Sequence, residues 1–404
     1  MAEREKRQAT MERSPYQIIT LLTPRGERLP MLVHRCSGIP CRMALCYAVL
    51  VRRGRVAAST MVSDLRAIQL LYEWADATLR TPIDAILARE PILTRGGILT
   101  QKRIGSLAQY VKTARNTTIA GSIGDGAGLV PAVFNARWGK IKNFLFWAVR
   151  MYAPNSTDWE KDEWTFKSAR ERIDILFGQH GVGEEVVQSV RVLSGDEWDR
   201  VQKAIAFENE SVWPDPHVRW RNHTMVYLAI NSGLRAGEML TLTLDQLPKG
   251  REEHIVVERR PDNARDPRRD APQVKTNGRA IVIPAFVRTM LATYSDEYRP
   301  PCTHNFVFCA QGGQPLSGRR MRQVAEEISA TAQVHLTWHR FRHSFLDSLY
   351  ETLADKPDGI DQLMEIAGWN SPLSARPYVL KARQRRGNTT LRTYQGGLYP
   401  PPAA

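Results

Sequence analysis

Thr337-Trp338-His339-Arg340-Phe341-Arg342-His343-Ser344-Phe345, followed by Gly368-Trp369 and then by Tyr378, is the stretch on which the reading of this chain turns. His339 and Arg342 stand three residues apart and so share one face of a helix. Both can then face a single anionic group such as a phosphate, and Tyr378 is the candidate nucleophile beside them.

At 404 residues the chain is too long for one ordinary core and long enough for two. Lys+Arg 56 against Asp+Glu 42 gives a net charge of +14 and a pI near 9.7, which favours a polyanionic partner, nucleic acid first. A charged-lipid surface would call for a basic amphipathic helix or a lipidation signal, and neither is present. The longest apolar run, Met43 to Val51, is too short to span a bilayer, so no membrane partner is expected. Met1 to Arg13 is charged throughout, unlike a secretory signal, so a cytoplasmic, nucleoid-associated protein is expected. Cys36, Cys41, Cys46, Cys302 and Cys309 are an odd set and read as reduced thiols. The spacing of the first three, with His34 beside them, lacks the short pairs of structural zinc sites and reads as ordinary buried cysteine. No metal site and no cofactor are called for.

Taken in order, residues 1–55 mix charge with the short strand-like runs Ile18 to Leu22 and Met31 to Val33, separated by Pro24-Arg25-Gly26, and read as an N-terminal arm or extension. From 56 to 180 the apolar period is helical. Leu65, Ile68, Tyr72, Ala75 and Leu79 form one stripe, a second helix runs from about Thr100, and Trp138, Ile141, Leu145 and Ala148 line a third that starts near Pro131. Lys140 and Lys142 lie off that stripe as candidate DNA contacts. The glycine-rich Gly121 to Gly128 lacks the ending of a P-loop and reads as a connector. A linker at 181–193 leads to Ser194-Gly195-Asp196-Glu197, a capping box that opens a domain at 194–404. There, Gly233-Leu234-Arg235 ends one helix at its junction with the next. Strand-like Ile255 to Val257 and Ala280 to Ile283 read as a hairpin bearing Lys275 on its return side. Arg268, Arg269 and Arg279 of that hairpin are further candidate DNA contacts. Beyond Glu365 no acidic side chain follows, while Arg376, Lys381, Arg383, Arg385, Arg386 and Arg392 do, so a basic tail is expected against DNA or a neighbouring subunit. The expected fold class is mainly α with a small β-hairpin.

Exchange at a phosphodiester builds negative charge on the non-bridging oxygens, and fixed positive donors must meet it. Arginine forks onto two oxygens and stays charged, which suits Arg235 and Arg342. A tyrosine hydroxyl titrates near pH 10 and needs help, which His339 can give. The leaving 5′ oxygen needs a proton, and a lysine near an arginine pair, Lys275, can supply it. Each residue alone has an ordinary structural reading, as a surface arginine after a glycine cap, a hairpin lysine or a core tryptophan. Order and spacing are what join them.

With those motifs laid out, the chain resembles the tyrosine recombinase (phage integrase) family. Gly233 to Glu238 is similar to the box of the first arginine. Lys275-Thr276-Asn277-Gly278-Arg279 is similar to the hairpin lysine region, His339 to Phe345 to the His-x-x-Arg box, and Gly368-Trp369 to the glycine followed by His or Trp. The resemblance covers roughly 190–395 and more loosely the helical region. It implies an α-helical core-binding domain and a mixed α+β catalytic domain closing as a C-shaped clamp on double-stranded DNA. It further implies Arg235, Lys275, His339, Arg342 and Trp369 around the scissile phosphate, with Glu238 and His343 in support. Tyr378 would form a 3′-phosphotyrosyl link without metal or ATP. A homodimer on each core site, a homotetramer in the synapse and accessory proteins are the implied partners. Pro377 before Tyr378 implies that a helix starts or breaks there. Tyr394 has a similar context and is the alternative nucleophile, with Tyr378 favoured by its distance from Trp369. Two other readings of the same residues are a type IB topoisomerase-like DNA-relaxing enzyme and a non-catalytic DNA-binding accessory protein. A zinc-dependent nuclease is a third.

Overall fold

The computed structural model describes residues 14–89, 100–113, 130–152, 159–183, 191–259, 263, 265–272, 274 and 277–398. The glycine-rich 121–128, most of the expected linker and Lys275 lie outside the described residues. The chain divides into two compact units, Met1–Val186 and Val187–Ala404.

Unit 1 begins with an antiparallel hairpin, β1 (Tyr16–Leu22) and β2 (Arg28–His34), in register Tyr16 to His34 through Leu22 to Arg28. Six helices follow: α1 (Arg42–Tyr47), α2 (Ala58–Leu79), α3 (Ile83–Arg89), α4 (Gln101–Thr113), α5 (Pro131–Tyr152) and α6 (Trp159–Gly178). The expected arm is not separate from the helices, because Tyr16, Leu32, Cys41 and Tyr47 are buried in the same apolar cluster as Leu65, Ile68, Trp74, Trp138 and Phe177. Alternation along β2 buries Arg28, Pro30 and Leu32 on one side of the pleat, and Val33 is buried on the other. Trp138 stacks on Phe177 at 4.1 Å between ring centroids and donates its indole N–H to the Phe177 carbonyl. Asp64, buried on α2, is held by Arg52 at 2.7 Å.

Unit 2 opens as its sequence predicts. The Ser194 hydroxyl accepts from the Glu197 amide at 3.2 Å and the Glu197 carboxylate accepts from the Ser194 amide at 2.9 Å, starting α7 (Gly195–Ala204). Helix α8 (Pro216–Ser232) starts with Asp215 as its cap and Pro216 in its first turn. After it come α9 (Ala236–Thr241), the antiparallel pair β3 (His254–Val257) and β4 (Arg279–Val282), α10 (Ala285–Thr293), α11 (Gly318–Ala332), α12 (Trp338–Leu353), α13 (Gly359–Ala367) and α14 (Arg376–Leu398). The helix expected to open at Ser194 and the pair expected to meet at Gly233 to Arg235 are present. The expected break at Pro377 is the start of α14 itself, with Pro377 in a first turn where its missing N–H costs nothing. Among the described residues no helix is long and apolar enough to cross a membrane.

Gly233 ends α8 in the left-handed region, φ 60°, where glycine carries no Cβ penalty. A Cβ there would also run into the ring of Phe345 on α12, so the glycine sets both the turn and the approach of the two helices. Gly233→Ala is expected to destabilise unit 2 by more than about 1 kcal/mol, read as a lowered denaturant midpoint with an unchanged slope.

Candidate active site

The site is assembled at the C-terminal end of α13. Its last carbonyls have no partner within the helix, and that end carries the negative pole of the helix dipole. Guanidinium groups supply the partners. Arg235, at the head of α9, donates Nη1 to the Ala367 carbonyl at 3.2 Å. Arg342, from α12, donates Nη2 to the same carbonyl at 2.8 Å and Nη1 to the Gly233 carbonyl at 2.5 Å. Arg279, on β4, donates Nε to the Ile366 carbonyl at 2.8 Å. Two forks from distant parts of the chain therefore converge on one carbonyl oxygen, as two donors converge on an anion.

Glu238 is the counter-charge. Its buried carboxylate takes both Arg279 nitrogens, at 2.9 and 3.0 Å, the Arg235 amide at 2.8 Å and a longer contact from the Arg235 guanidinium at 3.4 Å. Burial lowers the pKa of Arg235, and burial together with the Arg235 charge lowers that of Arg342. A guanidinium remains charged at neutral pH all the same.

Tyr378, in the first turn of α14, is only 2% exposed. Its hydroxyl is hydrogen-bonded to His343 Nδ1 at 2.6 Å, and its ring lies 5.6 Å from that of Trp369. Trp369 in turn takes the Arg342 guanidinium over its face at 5.7 Å. Burial pushes the Tyr378 hydroxyl up to about 12 against the opposing pull of Arg342 and Arg235. Burial, then His339 and Arg342, push His343 down to about 4. At neutral pH the phenol is thus protonated and the imidazole neutral, the pairing a proton acceptor requires. His339 packs its ring 4.0 Å from that of His343 and presents one side to solvent. Enclosure of the rest, with Arg342 and Arg235, lowers its pKa.

Residues 197–385 match the family model described as the phage integrase family. Over those residues the chain is similar to that family. No curated protein sequence matches the chain significantly. Among solved structures, the chain is similar to a fragment of the Tn1549 transposon integrase in complex with circular intermediate DNA, with TM-score 0.54 and 16% identity over 85% of this chain and 99% of that one. It is similar also to that integrase in complex with transposon right end DNA, with TM-score 0.53 and 16% identity over 85% and 98%. The fold is thus the mainly helical tyrosine recombinase fold with two small antiparallel sheets.

Within this integrase domain the structure brings together Arg235, His339, Arg342, Trp369 and Tyr378, with Glu238 and His343 among them. The hairpin that carries Lys275 is tied to the site by Arg279 and by Asn277, which donates to Asn370 at 2.5 Å. Tyr394 is 65% exposed, four helical turns along α14. Several expected DNA contacts have partners within their own unit. Arg279 is 5% exposed and held by Glu238. Arg268 is held by Asp266 at 2.6 Å, by the Leu240 and Leu316 carbonyls and over the Phe306 ring. Lys142 pairs with Asp174 at 2.6 Å, and Lys140 meets Ser63 and Asp64. Arg269 is exposed. In the basic tail, Lys381 and Arg385 reach Asp347, Arg385 also reaches Glu351, and Arg386 reaches Asp355 at 3.0 Å.

Sequence reasoning missed two features of this geometry. Asp347 seats the helix that carries Tyr378, and His343 rather than His339 touches Tyr378. A signal for both was present, since His339, His343 and Asp347 recur every four residues along one helix face.

Removing Glu238 leaves Arg279 buried without its anion, so Glu238→Ala is expected to cost about 3–5 kcal/mol, measured by urea unfolding. His343 has a lowered folded-state pKa, so between about 4 and the unfolded value of about 6.5 the unfolded chain holds a proton that the folded chain lacks. Stability therefore rises with pH across that window and is lost as pH falls through it. The stability difference between wild type and His343→Asn should widen from pH 4 to 7 and level off above, followed by urea midpoints.

Proposed function

We propose that this chain is a site-specific DNA recombinase that cuts and rejoins duplex DNA through a 3′-phosphotyrosyl link at Tyr378. The observation that carries the reading is the Tyr378 hydroxyl hydrogen-bonded at 2.6 Å to a neutral His343, beside two arginines that share the Ala367 carbonyl.

In this reading a scissile phosphate takes the place of the Ala367 and Gly233 carbonyls as partner of the Arg235 and Arg342 forks. The forks then hold the non-bridging oxygens as negative charge builds on them. The same charges favour the phenolate of Tyr378, and the incoming phosphate favours the imidazolium of His343. The phenol proton passes to His343, the tyrosine oxygen bonds to phosphorus, and the bond from phosphorus to the 5′ oxygen breaks. Lys275 delivers the proton to the leaving oxygen. His339 and Trp369 line the phosphate, with Trp369 keeping Arg342 in place. Rejoining runs the steps in reverse, because the phosphotyrosyl ester keeps the energy of the broken bond.

Double-stranded DNA as the partner is supported by the net charge of +14 and by the DNA held in the Tn1549 integrase structures. Two protomers on a core site and four in a synapse follow from the family reading, as does a cytoplasmic place of action.

The test uses a duplex selected from a random pool by binding, nicked near the cut so that the covalent adduct is trapped. Tyr378→Phe should remove the adduct and Tyr394→Phe should retain it. His343→Ala should slow its formation about 10²–10⁴-fold, the range for losing a general base. An adduct persisting in Tyr378→Phe would refute the nucleophile. Relaxation of supercoiled plasmid without site preference would favour a topoisomerase.

A further inference from the structure

Cys302, His304 and Cys309 lie outside the tyrosine site, in the segment that leads from α10 to α11. Their ligand atoms all fall within 4.8 Å of one another, and the two Sγ atoms are 3.9 Å apart. We propose that these three side chains bind one divalent metal ion of the zinc class. A tetrahedral zinc with sulfurs about 2.3 Å away holds those sulfurs about 3.8 Å apart, close to the separation found here. A disulfide would need about 2.05 Å.

The surrounding backbone holds the three residues in this arrangement. Gly313 has φ 74°, and a Cβ on it would come within 2.5 Å of the Pro301 carbonyl, so glycine lets the turn close against Pro301 and Cys302. The Gly313 carbonyl then lies 3.0 Å from His304 Nε2. An Nε2–H donated there leaves Nδ1 as the ligand atom, the usual supporting bond of a metal-bound histidine. Nδ1 also receives the Phe306 amide at 3.2 Å, a long contact that metal binding replaces. Cys309 is fixed by its amide bond to the Tyr294 hydroxyl at 3.3 Å and by a bridge to Pro315. Arg299 donates to the His304 carbonyl at 2.7 Å and the Phe306 carbonyl at 3.0 Å, and its charge favours thiolates nearby.

Two thiolates and an imidazole are a soft donor set that selects zinc over magnesium or calcium. Thiols ligate as thiolates, so binding releases protons and affinity rises with pH. The complex of M²⁺, two thiolates and a neutral imidazole carries no net charge, which suits a partly buried place. The fourth corner is left to water. The ion would clasp the segment whose Phe306 bridges Thr243 and lies under Arg268, a stabilising task separate from strand exchange.

Full-length protein purified with zinc supplied should hold about one zinc per chain by elemental analysis. The double variant Cys302→Ser/Cys309→Ser should lose it, and Cys36→Ser/Cys46→Ser should keep it. Cobalt added to metal-stripped wild type should give a thiolate-to-metal charge-transfer band, and chelator should lower the wild-type Tm. The wild-type measurements stand even if a serine variant fails to fold. Metal-free wild type with no cobalt–thiolate band overturns the proposal. So does zinc retained by the Cys302/Cys309 variant, or a Cys302–Cys309 disulfide in freshly isolated protein.

Discussion

Three guanidinium groups meet at the last carbonyls of α13, and the buried carboxylate of Glu238 makes that crowding tolerable. Like charges drawn out of water repel and lose hydration, so without an internal anion Arg235, Arg279 and Arg342 would separate or turn to solvent. Glu238 binds two of them, and the carbonyls of Ala367, Ile366 and Gly233 bind what remains. One carboxylate thereby joins α9 to β4, while the Arg235 and Arg279 guanidinium bonds pin both to α13 and Arg342 ties α12 to α13 and to the end of α8. The arrangement is fixed by contacts within unit 2 alone.

Tyr378 shows the opposite economy. Burial opposes its ionisation, and the nearby arginines only partly offset that. The hydroxyl is therefore held neutral beside His343. Its helix is seated by Asp347 and Glu351 on α12, and by Asp355 in the turn just after it, against Lys381, Arg385 and Arg386. Asp347 is buried, whereas the exposed pairs to Glu351 and Asp355 contribute about 0–1 kcal/mol each. They set where α14 lies more than how stable the domain is.

The charged residues separate into two classes that composition cannot distinguish. Lys142, Arg268 and Arg279 stand in sequence contexts as basic as any in the chain, yet their charges are matched within their own units. Arg269 and the paired but solvent-facing Arg385 and Arg386 remain at the surface. Net charge is a sum over the chain and carries no information about which acid each base has met.

The local rules of the chain were enough to determine much of this protein. The Ser194 to Glu197 box and the glycine stop at Gly233 marked helix ends of unit 2, and the 3.6-residue stripes marked helices of unit 1, because caps and periodicity act over a single turn. The order and spacing of Arg235, His339, Arg342, Trp369 and Tyr378 identified the site's members for the same reason: each motif is read within its own short segment. What the sequence could not decide was which members touch. The hydroxyl of Tyr378 meets His343 and not His339, Arg279 turns inward to Glu238, and β1 and β2 join the core of unit 1 instead of standing apart as an arm. Those outcomes depend on how helices distant in the chain pack together, and only tertiary structure brings α13's carbonyls, α12's histidines and α14's tyrosine to one place.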